Sequence, residues 1–310
     1  MLGNGTLRVA LFDSRWDAKA GVATRLPLGR ADEGHTRLVR EAGGTPPAGF
    51  YAVVSEEPHR VTAAVDRIRS IPIFYGRSRD GGFRLSDRAD WVRDEVQATD
   101  VLIGARNDFL LAGYVTGENT LFDGVKQLQA GQRLDAREID GRVEVVVDDY
   151  FLFKRSYSSL ADDEALESEL ESVLTIVMER MVELAAGRQI AIPLSGGNDS
   201  RVIAMYLSSM CPDRVVTFAY GRPALGEVAI SRAVAEALGL EWHFVEGTER
   251  FWSDLRNSKD VQLFLNRVTN SHRLLICRTG RRFETWSSRE GSRRTQSLPQ
   301  DTLAMFRQAE

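Results

Sequence analysis

Gln189-Ile-Ala-Ile-Pro-Leu-Ser-Gly-Gly-Asn-Asp-Ser-Arg-Val-Ile-Ala-Met-Tyr-Leu-Ser-Ser209 is the stretch from which the rest of the chain can be read. Ile190 to Leu194 is a short, almost wholly apolar run, the pattern of a parallel strand buried on both faces. Gly196 and Gly197 then allow a sharp turn and a close approach of backbone to a ligand, with no Cβ in the way. From Arg201 the spacing becomes helical, with Val202, Ile203, Tyr206 and Leu207 on one apolar side. A glycine turn between strand and helix aims unpaired backbone N–H groups and the positive end of the helix dipole at one spot. Such a spot suits phosphate. Ser195 and Ser200 add hydroxyl donors, and the Asp199 carboxylate suits Mg²⁺ held against phosphate oxygens. No lysine follows the glycines, which excludes the GxxxxGK[ST] mononucleotide loop. The ordinary alternative is a strand-to-helix turn whose glycines only relieve strain.

The stretch resembles the SGGxDS pyrophosphate loop of the N-type ATP pyrophosphatases. The version Pro193-Leu-Ser-Gly-Gly-Asn-Asp-Ser-Arg201 is most similar to the asparagine synthetase family. By itself it also fits GMP synthetase, NAD synthetase and tRNA-modifying ligases, so the remaining sequence has to choose.

The chain's 310 residues suffice for one large domain or two ordinary ones. A net charge of −4 and a pI near 5.8 give no general case for nucleic acid or membrane as partner. Two cysteines, Cys211 and Cys277, and no Cys/His cluster argue against a disulfide scaffold or structural zinc. Neither a signal pattern nor an apolar run of membrane-spanning length occurs, so a cytoplasmic protein is expected.

Residues 1–155 read as short strands separated by Gly, Pro and Asp. Leu7–Phe12, Phe50–Val54, Val61–Val65, Ile71–Tyr75 and Phe83–Leu85 are the clearest, with a turn at Asp80-Gly-Gly82. A helix is expected over Asp108–Tyr114. Leu134–Ile139 should pair with Val143–Val147 across Asp140-Gly141. The order resembles the glutaminase-like domain of asparagine synthetases. Asp66 to Tyr75 stands where the family has its Arg-Asp-Pro…Arg-Pro-Leu-Tyr-Tyr segment, and Phe83 to Asp87 matches a strand entering a Ser-Glu turn. The run Gly113-Tyr-Val115…Asn119 to Leu128…Gly131 follows the family closely. Glutaminases of this class use an N-terminal cysteine thiol beside its own amine. Here Leu2 follows the initiator, and the first half contains no cysteine. The resemblance therefore implies a scaffold rather than a working glutaminase, as in β-lactam synthetases and lasso-peptide cyclases.

Residues 156–161 read as a polar linker. Leu166, Leu170, Val173, Leu174, Val177, Met181 and Leu184 predict a helix over 162–186 whose apolar stripe packs into a core, stopped at Gly187. A strand over Arg214–Tyr220, a helix from Gly226 to Leu238 and a strand over Leu240–Val245 come after the loop. This alternation predicts a parallel, doubly wound sheet with its ligand beyond the carboxyl ends of the strands. The family binds adenine against backbone at two such ends, here Pro193-Leu194 and Ala219-Tyr220. Glu227 matches the family's Asp-Glu pair after the second strand, although Gly226 replaces the aspartate. The plain alternative for Glu227 is a carboxylate favoured at a helix N-terminus. His243, alone in its strand, reads as packed rather than metal-bound; Arg201 could reach a phosphate, but in a first helical turn it reads as solvated.

The expected fold class is thus α/β and α+β. An Ntn-hydrolase-like strand-rich domain (1–155) precedes the N-terminal part of an adenine nucleotide α-hydrolase-like, doubly wound α/β domain (156–271). Residues 272–310 are atypical. Within them, 274–299 show no helical or strand period and are crowded with arginine. A disordered basic tail, an acidic partner and a shifted reading frame are three accounts of that segment. The later family elements, a second glycine-and-acid segment and a lysine near the phosphates, are not found. The resemblance implies ATP and Mg²⁺ as cofactors and a small-molecule or peptide carboxylate as substrate. It also implies an amide bond made through an acyl-adenylate with release of pyrophosphate. Leu194, Ser195, Gly196, Gly197, Asp199, Ser200, Tyr220 and Glu227 would contact ATP, and Asp199 the metal. The competing reading is a catalytically incomplete protein that at most binds nucleotide or a partner. We expect the purified protein to release no glutamate from glutamine; glutamate release that resists thiol alkylation would overturn this.

Overall fold

The computed structural model describes residues 6–19, 21–26, 33–40, 47, 49–154, 163–223 and 226–248. They fall into two compact units, divided between Ser156 and Tyr157.

The first unit comprises β1 (Leu7–Ala10), β2 (Trp16–Lys19), β3 (Val22–Arg25), α1 (Glu33–Arg40), β4 (Ala52–Glu57) and β5 (Arg60–Val65). It continues with β6 (Phe74–Arg77), β7 (Phe83–Ser86), α2 (Ala89–Val96), α3 (Ile103–Ala112), β8 (Val125–Gln127), β9 (Gln132–Ile139) and β10 (Arg142–Asp149). A four-stranded sheet runs β1-β7-β6-β8, and a six-stranded antiparallel sheet runs β10-β9-β5-β4-β3-β2. Strand alternation decides how they stack. Leu7, Val9, Tyr75, Phe83 and Leu85 of the first sheet share one core with Ala52, Val54, Val61, Ala63, Leu134 and Ala136 of the second. The alternate residues face outward: Val53 and Ala64 pack with Leu38 and Val39 of α1, and Phe74 with Ala89, Val92 and Val96 of α2. The result is four layers, helix, sheet, sheet, helix, a strand-rich α+β unit of the expected class.

Most expected strands form. The β9–β10 hairpin has the expected register, Leu134 opposite Val147 and Ile139 opposite Arg142. Asp140 (φ 50°) and Gly141 (φ 74°) make its two-residue turn. Ile71 and Ile73 are buried as expected but lie outside β6, because Pro72 between them has no N–H for a ladder. The helix expected over Asp108–Tyr114 starts five residues earlier, at Ile103. No side chain caps it, so the usual start signal is missing, and Gly113 (φ 81°) ends it.

Asp66, fully buried, fixes the turn by which the chain leaves β5. Its carboxylate accepts hydrogen bonds from the N–H groups of Tyr51 (3.0 Å), Ile68 (2.9 Å) and Ser70 (3.0 Å) and from the Ser70 hydroxyl. Its carbonyl accepts from Gly131 N–H (2.9 Å), and the Gly131 carbonyl accepts from Tyr150 N–H (2.9 Å).

The second unit comprises α4 (Asp163–Ala185), β11 (Ile190–Pro193), α5 (Asn198–Met210), β12 (Val215–Gly221), α6 (Gly226–Ala237) and β13 (Glu241–Glu246). Its sheet is parallel throughout and runs β11-β12-β13. Ala204 and Leu207 of α5, Ala235 of α6 and Met178 of α4 join Ile192, Leu194 and Val215 in one core.

Burial in this unit departs from the sequence-based expectation at β11 and α4. The run Ile190–Leu194 is not buried on both faces: Ile192 and Leu194 join the core with α4, α5 and α6, whereas Ala191 and Pro193, on the other face, are exposed. The α4 stripe is only half core. Met178 is buried and Leu174, Met181 and Leu184 are half-buried, while Leu166, Leu170, Val173 and Val177 are exposed. Periodicity reports which face is apolar, not what covers it. At 23 residues α4 is about 35 Å long, against about 20 Å for the 13-residue α5 on which it packs. Its first half therefore outruns its partner. The linker 156–161 and residues 272–310 lie outside the described residues. Among the described residues no helix is long and apolar enough to cross a membrane.

Two glycines with positive φ separate strain from crowding. A Cβ on Gly141 (φ 74°) meets nothing within 4 Å, whereas one on Gly131 (φ 69°) would sit 2.3 Å from the Phe151 carbonyl oxygen. Gly141→Ala should destabilise the first unit by about 1 kcal/mol, the cost of a left-handed alanine. Gly131→Ala should cost about 3 kcal/mol, because the backbone must also move. Urea unfolding of the two variants tests the order.

Candidate functional site

The parallel register sets the geometry. Pro193 lies beside Phe218, and Leu194 N–H donates to the Phe218 carbonyl at 2.8 Å, one residue beyond the end of β11. The chain then leaves the sheet through Ser195, Gly196 and Gly197 and enters α5. Gly197, in an extended conformation (φ −79°, ψ 166°), is the N-cap and has no side chain to offer, and among the described residues no side chain caps the helix. The first-turn N–H groups of Asn198, Asp199 and Ser200 therefore have no partner within the helix and point outward with the positive end of its dipole.

Within the loop the two serines are coupled. Ser195 N–H donates to Ser200 Oγ at 3.1 Å, Gly197 N–H donates to Ser195 Oγ at 3.1 Å, and the two hydroxyl oxygens lie 3.0 Å apart. One hydroxyl hydrogen makes the Oγ–Oγ bond, which leaves the other free for a ligand. Arg201, expected to be solvated, is instead half-buried and donates from its guanidinium to the Gly196 carbonyl.

A cavity of about 180 Å³ opens at the carboxyl ends of β11 and β12. Pro193, Leu194, Ser195, Phe218, Tyr220 and Glu227 are among the residues that line it. Leu194 is 2% exposed, so its side chain belongs to the core and only its backbone can serve a ligand; Tyr220 is 62% exposed. Glu227, in the first turn of α6, stands over the loop. A Cβ built on Gly196 would lie 3.4 Å from its Cγ, and one on Gly197 would lie 3.3 Å from Ser195 Oγ. The first is ordinary contact and the second mild crowding within the loop itself.

Of the residues singled out in the sequence, Leu194, Ser195, Tyr220 and Glu227 line the cavity, and Gly196 and Ser200 touch members of that set. Gly197 and Asp199 are exposed on the same turn. Among the described residues no cluster of three or more His, Cys, Asp or Glu side chains could hold a metal. His243 is half-buried, with Nε2 2.7 Å from Glu241 Oε1. Sequence reasoning missed Phe218 as a wall of the cavity. Its signal was its place opposite Pro193, legible only once the register is known.

Residues 171–258 match the asparagine synthase family model. The matched segment runs from α4 through the loop to β13 and beyond, so it contains the whole of this cavity. This is the family that the loop sequence resembles. No curated protein matches the chain. Among solved structures, the chain is similar to the glutamine phosphoribosylpyrophosphate amidotransferase from B. subtilis complexed with ADP and GMP. The likeness is 11% identity and a TM-score of 0.21 over 66% of this chain and 37% of that one. An allosteric regulatory enzyme of purine biosynthesis gives 12% and 0.20, over 66% and 36%. The chain spans little more than a third of either structure's length, and likenesses this distant carry no argument about its chemistry.

The hydrogen bond shared by Ser195 and Ser200 makes a measurable difference. Ser195→Ala or Ser200→Ala each leaves one hydroxyl free to donate, and should weaken binding of inorganic pyrophosphate less than about tenfold. The double variant should lose roughly 10- to 100-fold, the worth of one hydrogen bond to a charged group. Calorimetry decides it; additive losses would show that the hydroxyls act independently.

Proposed function

We propose that the second unit binds ATP by its phosphates and serves ATP-dependent amide-bond formation of the asparagine synthase type. The observation that carries this reading is the uncapped N-terminus of α5, set beside a free serine hydroxyl at the carboxyl ends of two parallel strands. Adenine would lie in the cavity against the backbone of Leu194 and beside Tyr220. The β- and γ-phosphates would meet the N–H groups of the first turn of α5 and the Ser195/Ser200 pair. A substrate carboxylate oxygen attacks the α-phosphorus, and the bond to the β-phosphate oxygen breaks with its electron pair leaving on pyrophosphate. An amine then attacks the acyl carbon, expelling AMP and losing a proton. Negative charge grows on the leaving pyrophosphate in the first step, and fixed N–H and O–H donors already aimed there stabilise it without reorganisation.

Asp199 suits Mg²⁺ for a chemical reason: the ion commonly takes one or two carboxylates, completing its shell with phosphate oxygens and water. Asp199 is exposed on the same turn as the anion donors. When bound there, the ion would neutralise charge on the phosphates. The glutaminase-like first unit would act as a scaffold, with nitrogen coming from ammonia or a substrate amine.

One observation favours a second reading. Lys19, Lys126 and Lys154 all precede the second unit and Lys259 lies beyond its described part, so no lysine stands in 163–248 to meet the phosphates. On that reading the unit binds nucleotide without completing the reaction.

Asp199→Ala should abolish Mg²⁺-dependent ATP binding in calorimetry, while Asn198→Ala should change it little. Pyrophosphate release in the presence of candidate carboxylates and ammonia separates the two readings. ATP binding without release supports the second, and no binding by the wild type at millimolar ATP sinks both.

A further inference from the structure

We infer that Arg201 is the positioning residue of the Ser195–Ser200 loop. It acts through the Gly196 carbonyl and holds the loop in its anion-accepting form before any ligand arrives. The peptide between Gly196 and Gly197 is flanked by two residues without Cβ and is the one in the loop freest to rotate. In the structure both of its polar ends are held: the carbonyl by the Arg201 guanidinium and the N–H by Ser195 Oγ at 3.1 Å. Rotated the other way, that peptide would turn a carbonyl oxygen toward the space above the loop, where the first-turn N–H groups of α5 point. An oxygen lone pair there would repel the same anion that those groups attract.

Arg201 is well placed for this task. It is the fourth residue of α5, rooted in the helix whose N-terminus it serves, and it reaches back five residues to Gly196. Among the described residues no carboxylate pairs with it, so its charge is not neutralised locally. Its Nε is buried and makes no hydrogen bond, which leaves the Gly196 carbonyl as its anchor. A guanidinium hydrogen bond to a carbonyl is a charge-assisted one, stronger than a neutral pair. The role in binding rests on the phosphate reading proposed for the second unit; the ordering of the free loop does not.

The test uses the full chain and two variants, Arg201→Met and Arg201→Lys. Hydrogen exchange of the 194–200 segment is followed by mass spectrometry without ligand, and inorganic pyrophosphate binding by calorimetry. Arg201→Met should speed exchange of this segment about tenfold while leaving β12 and β13 at wild-type rates, and should weaken pyrophosphate binding about tenfold. Arg201→Lys, which keeps a donor and the charge, should recover part of both. Loop exchange at the wild-type rate in Arg201→Met overturns the inference, as does faster exchange spread over the whole unit. If the methionine variant does not fold, faster exchange confined to 194–200 in Arg201→Lys, smaller than tenfold, supports the role, and wild-type loop exchange or whole-unit loosening in that variant overturns it. Wild-type protein that ignores pyrophosphate, while Arg201→Met still loosens the loop alone, would sink the phosphate reading and leave the positioning role standing.

Discussion

The pairing of β11 with β12 is the constraint on which the candidate site depends. With Pro193 beside Phe218 and Leu194 N–H bonded to the Phe218 carbonyl, the chain cannot turn before Ser195. The glycines then fall at the rim, next to Ala219 and Tyr220, rather than within the sheet. A slip of one residue would turn Ile192 and Leu194 out of the core and Ala191 and Pro193 into it. The buried side chains of Ile192 and Leu194 thus hold the loop in place. The core of the second unit and the geometry of its cavity are one arrangement.

Polar groups in the loop are organised differently from those elsewhere in the chain. In the first unit Asp66 is buried and its carboxylate is saturated by three backbone N–H groups and a hydroxyl, so it fixes a turn and has nothing left to give. The second unit leaves donors over: the uncapped first turn of α5 and one of two serine hydroxyl hydrogens. Buried polar groups satisfied within the protein stabilise a fold, while outward-facing ones left unpaired are what a ligand can use. That contrast separates a structural polar cluster from a candidate site.

Much of the second unit was legible in residue order. The parallel strands, the intervening helices and the turn at Gly196-Gly197 arise from apolar runs, 3.6-residue spacing and glycine punctuation, all properties of adjacent residues. In the first unit the β9–β10 hairpin was equally plain, because Asp140-Gly141 favours the positive φ that its turn requires. The α1 and α2 helices, the β2–β3 hairpin and the first half of α3 were not anticipated. The α3 start carries no capping side chain, and α1 and α2 are eight residues each, too short for their periods to stand out.

By itself the sequence determined the fold class, the strand–loop–helix unit and the chemical character of its loop, since these depend on residues close along the chain. Only the tertiary structure decided which apolar faces are covered. The α4 stripe reads the same at Val173 as at Met178, yet one is exposed and the other buried, because α5 reaches only part of α4. It also decided that Phe218 walls the cavity, that Ser195 and Ser200 share a hydrogen bond, and that Arg201 turns back to Gly196. Those are contacts between side chains and backbone set by register and helix position, and no local pattern of residue types encodes them.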